Sequence, residues 1–91
     1  MNKEDLKQGE IYVIHLHKNP EWDSIFLSGG GMSNTDRLYL NQPKYNKNSG
    51  EWVPSGGYEI REATKEEKIW LKACSKADKF IPKEGALSSS G

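Results

Sequence analysis

With 91 residues, thirteen of them basic and thirteen acidic, the chain has room for one compact domain and carries no net charge to attract a polyanion. The missing basic surplus argues against duplex nucleic acid as a partner, because neutralised phosphates supply most of such affinity. One cysteine, Cys74, excludes an intrachain disulfide and any cysteine-rich zinc motif, and no apolar run approaches the roughly 20 residues of a membrane span, so a soluble, cytoplasmic protein is expected.

The first predicted element is a strand in "GEIYVIHLH", where Ile11, Val13, His15 and His17 alternate with Tyr12, Ile14 and Leu16. Asn19–Pro20 breaks it, and "WDSIFLS" resumes with Trp22, Ile25 and Leu27. "GGGMSNTD" reads as a hairpin turn, "RLYLN" as a third strand, "QPKYNKNSG" as a turn-rich loop and "EWVPS" as a fourth strand that Pro54 confines to an edge. After Gly56–Gly57, "YEIRE" gives a fifth strand.

Thr64 followed three residues later by Glu67 is a capping box and opens a helix over about 64–79. Acidic Glu66 and Glu67 stand in its first turn and Lys76 and Lys79 in its last, the order the helix dipole favours. Trp70, Ala73, Cys74, Ala77 and Phe80 or Ile81 form the stripe that meets the sheet, the lysines form a solvated face, and Pro82 ends the element. The predicted fold is α+β: a small antiparallel sheet or SH3-like barrel of four to five strands with one C-terminal helix packed across it. Residues 1–83 form the single domain and 84–91, including "GALSSSG", a flexible tail.

The run Arg61, Glu62, Ala63, Thr64, then Trp70–Leu71, Cys74 and the closing Lys79–Phe80–Ile81, resembles the C-terminal signature of small, mostly uncharacterised bacteriophage and prophage proteins. The opening "KQGEIYVI" is similar to their first strand. The resemblance implies a phage origin and no particular reaction. It leaves residues 18–57, where a specific function would be written, without a counterpart.

Each chemical motif has a plainer structural reading. His15 and His17, two apart on one strand face, have the spacing of a metal-binding pair, but the local sequence supplies no third ligand; Cys74, Glu21 or Asp23 would have to approach from elsewhere, and no metal is expected. Cys74 sits mid-helix on the apolar stripe, the place of a buried thiol rather than a nucleophile. "SGGGMSN" lacks the lysine of a phosphate-binding loop; its amides suit an anion nest beside Arg37, or simply a hairpin tip. With no catalytic constellation and no cofactor motif, an enzyme is not expected.

What remains is a set of groups suited to binding. Arg37 and Arg61 are the only arginines, and Trp22, Trp52 and Tyr58 lie near loops where they can stack on a flat ligand or anchor a protein surface. These five residues are the candidate ligand- or partner-binding set. The expected function is a non-enzymatic phage-type binding protein, an inhibitor of a host defence system that binds a host protein or sequesters a nucleotide signal in the cytoplasm of the infected host. The alternative is a structural or accessory phage module that binds other proteins. A core this small and open strand edges favour a homo-oligomer in either case.

Overall fold

The computed structural model describes residues 1–51, 54 and 56–89. Five strands, β1 (Ile11–Leu16), β2 (Ser24–Ser28), β3 (Ser33–Tyr39), β4 (Tyr45–Glu51) and β5 (Tyr58–Glu62), form one sheet in the order β4-β3-β2-β1-β5, every pairing antiparallel. Two helices follow, α1 (Lys65–Ala77) and α2 (Lys83–Ser89). The predicted α+β architecture, a small antiparallel sheet with a C-terminal helix across it, is the one observed.

Period-two alternation in β1 sends its side chains to two apolar clusters. Ile11 and Val13 join Ile25, Leu38, Ala63, Trp70, Leu71, Cys74 and Ala86 on the helix side. Tyr12, Ile14 and Leu16 join Leu6, Phe26, Met32 and Ile60 on the other. Both faces of β1, an inner strand between β2 and β5, are therefore buried, which explains its near-continuous apolar run.

The capping box forms as the sequence dictates: Thr64 Oγ1 accepts from the Glu67 amide at 3.2 Å and the Glu67 carboxylate accepts from the Thr64 amide at 2.8 Å. Trp70, Leu71 and Cys74 are the buried residues of α1. Leu71 replaces Ala77 in the expected stripe, since Ala77 is exposed. The helix is ended by Asp78 in the left-handed region at φ 57°, its amide returning to the carbonyls of Cys74 and Ser75.

Four expectations are corrected. Pro82 does not end α1; its carbonyl accepts from the Ala86 amide at 3.0 Å and begins α2, so residues expected to form a free tail fold as a helix. Ala86 is small enough to reach the core and is 1% exposed. Trp22 lies not on a strand but in a 3-10 turn, Pro20–Trp22, that the fixed φ of Pro20 initiates. Ser33–Asp36 belong to β3 rather than to the turn.

The fourth correction concerns "YNKNSGE", expected as loop and found as β4. Its polar side chains lie at a sheet edge, where little apolar character is needed. A bulge opposite Thr35 absorbs an extra residue, with Asn48 at φ 56° and Gly50 at φ 80°. Buried Asp36 organises it: one oxygen accepts from the Asn48 amide at 3.3 Å and the other from the Ser75 hydroxyl of α1 at 2.7 Å. Most of the expected strand "EWVPS" lies outside the described residues.

Candidate functional site

The four candidate binding residues that the structure describes, Trp22, Arg37, Tyr58 and Arg61, do not converge on one site. Arg37 stands mid-strand in β3, opposite Phe26, and is 3% exposed, its guanidinium carbon 5.9 Å from the Phe26 ring centre. Burial pulls its pKa below the ordinary arginine value, with Tyr39 opposing that shift. The neighbouring glycine loop is closed on itself: the Gly29 amide donates to Ser33 O at 2.6 Å and the Gly30 amide to Ser28 Oγ at 3.1 Å. Those two amides do not face an external anion.

Arg61 forms a two-pronged ion pair with Glu67, both N–O distances 2.8 Å. That pair, with the Thr64 bonds, holds the Glu67 carboxyl down to about 2. The arginine thus fastens β5 to the first turn of α1. Tyr58, half-buried, packs against the second apolar cluster. Trp52 lies outside the described residues.

Trp22 is different, being 40% exposed on a braced support. The side-chain amides of Asn41 and Gln42, from the β3–β4 turn, donate to the carbonyls of Pro20 and Glu21, each at 2.7 Å. The Leu40 amide donates to Asp23 O at 2.9 Å. The indole meets the Tyr39 ring edge-on, centroids 5.7 Å apart, and Lys44 Nζ lies 5.8 Å from the Trp22 ring and 5.4 Å from the Tyr39 ring. An exposed aromatic on a turn whose backbone is held by hydrogen bonds, with its ring packed on a neighbour, loses little freedom on binding, which is the property of an interface anchor. The sequence reading missed Tyr39, Asn41, Gln42 and Lys44 as members of this corner. Only the Ser24–Tyr39 register of β2 and β3 brings "NPEW" against "YLNQPK", and nothing local in either segment announces it.

At the same end of the sheet, polar groups gather. His15 Nδ1 lies 2.6 Å from Asp23 Oδ2, and the other Asp23 oxygen accepts from the Leu16 amide at 2.7 Å. The Asp23 bond raises the His15 pKa, aided by the same carboxylate's charge. His17 Nε2 is 3.5 Å from Glu59 Oε2. Glu59 stands directly opposite His15 in the β1–β5 pairing, a third donor that is invisible in the local sequence.

Cys74 is fully buried, and burial raises its pKa, partly offset by the Ile81 amide that donates to the sulfur at 3.4 Å. No helix of the described residues is long and apolar enough to cross a membrane. No family model matches the chain, and neither a curated protein nor a solved structure is significantly similar to it.

Proposed function

We propose that this protein works by binding without turnover, as a phage-type inhibitor that occupies a host protein through the Trp22–Tyr39–Lys44 corner. The observation that carries this reading is the exposed, braced indole beside a lysine, a pairing suited to the aromatic and acidic groups of a protein surface. A protein is favoured over a nucleotide signal as the target, because both arginines are engaged within the fold: Arg37 is buried against Phe26 and Arg61 is paired with Glu67. The phage-like stretch over residues 60–81 supports a host component, such as a defence protein, as the class of target. Self-association belongs to the same reading, since among the described residues β5 pairs only with β1 and leaves its outer edge for a second copy.

Native mass spectrometry of the purified chain mixed with fractionated host proteins tests the proposal and reads the oligomeric state in the same spectra. The parent is expected to hold one host protein in fixed stoichiometry, Trp22→Ala to lose it and Trp22→Phe to keep it in part. Capture unchanged by Trp22→Ala would refute the assignment of the corner. Capture of phage proteins alone would favour the accessory module.

A further inference from the structure

We infer that His15, His17 and Glu59 form a binding site for a divalent first-row transition cation, with Asp23 as the carboxylate that orients His15. This goes beyond the binding corner and departs from the sequence expectation that no metal is held. Among the described residues these three offer one ligand atom each, all within 4.8 Å of one another. Donors about 2.0–2.2 Å from a tetrahedral ion lie roughly 3.3–3.6 Å from each other. The 3.5 Å between His17 Nε2 and Glu59 Oε2 already matches one such edge. The His17 imidazole is half-exposed and Glu59 more so, which leaves these two side chains room to rotate toward the same spacing about a fixed His15.

The backbone makes the cluster. His15 and Glu59 are direct cross-strand neighbours, and His17 follows His15 by the two residues that return a side chain to the same face. The His15 and His17 rings stand edge to face with centroids 5.6 Å apart. His17 has room because residue 57 is glycine: a Cβ there would lie 2.7 Å from His17 Nδ1. With Nδ1 against the backbone of Gly57, Nε2 is the nitrogen that faces Glu59.

Asp23 separates this arrangement from two chance surface pairs. It is buried, and both of its oxygens are committed, one to the Leu16 amide and one to His15 Nδ1. A carboxylate held in that way fixes the His15 ring and directs its free Nε2 outward, which is how outer carboxylates prepare histidines for metal. Two nitrogens and one carboxylate oxygen select a borderline transition metal over calcium or magnesium, whose ligands are oxygens. Three protein donors leave one position for water or for a donor from a bound partner.

The test is equilibrium dialysis of the full chain, freed of any histidine tag, against Zn2+, with the Co2+ form read by visible absorption. One Zn2+ per chain is expected, together with a tetrahedral Co2+ spectrum and a rise in thermal midpoint on adding Zn2+. His17→Ala and Glu59→Gln, both at exposed positions, should abolish the one-to-one binding and leave the circular dichroism unchanged. Asp23→Asn should weaken binding about 10–100-fold. Gly57→Ala should weaken it without removing any donor. The site is refuted if the parent binds no stoichiometric Zn2+ or if His17→Ala and Glu59→Gln bind it as the parent does. A cobalt–thiolate absorption band would equally overturn it, by placing the ion at Cys74.

Discussion

The β5–α1 side of the molecule and the corner at the start of β2 use similar residue types for opposite ends. On the helix side the aromatic and capping groups face other groups of the same chain, and the lysine face of α1 is turned to solvent. Trp70 Nε1 donates to Ile81 O at 2.6 Å and its ring meets Phe80, Arg61 holds Glu67, and Thr64 and Glu67 cap one another. At the corner a tryptophan, a lysine, two histidines and a glutamate face outward from a backbone that is itself tightly bonded. Rich patterning in a sequence can therefore mark a scaffold, while the surface with chemistry left to offer is assembled from segments that look unremarkable alone.

Perturbations should separate the two regions. The largest effect is expected at Trp70: replacement by Ala removes a buried aromatic that bridges the sheet and the chain after α1, at about 3–5 kcal/mol, enough to unfold a domain this size. Urea titration checks it, and a midpoint near that of the parent would mean that α1 does not depend on this contact. Next is the cap, where Thr64→Ala should cost about 1 kcal/mol. The cap also fixes a pH dependence. Glu67 has a folded pKa of about 2 against an ordinary 4.5, so it binds fewer protons folded than unfolded. Its stabilising contribution is complete above the ordinary value and fades as pH falls through that interval toward 2. Arg61→Ala should flatten the slope there, as acid titrations of the two proteins will show.

The corner should behave in the contrary way. Trp22→Ala gives up a partly exposed edge contact with Tyr39, about 1 kcal/mol or less, yet should abolish partner binding. A large loss of stability in that variant would place Trp22 with the scaffold and erase the contrast. Cys74, at the scaffold's centre, should react with a thiol reagent only as fast as the protein opens.

The difference also explains what could be read in advance. β1, β5 and the start of α1 were legible because alternation and the Thr64–Glu67 spacing are local signals with local causes. β4 was not: Asn46, Lys47, Asn48 and Ser49 lack apolar alternation, and the strand is held by pairing with β3 and by Asp36, distant in sequence. The same holds for function. Trp22 and the His15–His17 pair were visible, but Tyr39, Lys44 and Glu59 reach them only through strand register. Arg37 looked available beside a glycine loop because β3 was expected to start at that residue. It starts at Ser33, which puts Arg37 inside the sheet.

The most direct test of the central claim, that recognition occurs at the corner and not on the helix, is site-specific photocrosslinking in the presence of host protein. A photoreactive amino acid would be placed at position 22 in one protein and at position 76, on the exposed face of α1, in another. The account expects a discrete adduct from position 22 and none from position 76. An adduct from 76 alone, or equal adducts from both, would contradict it.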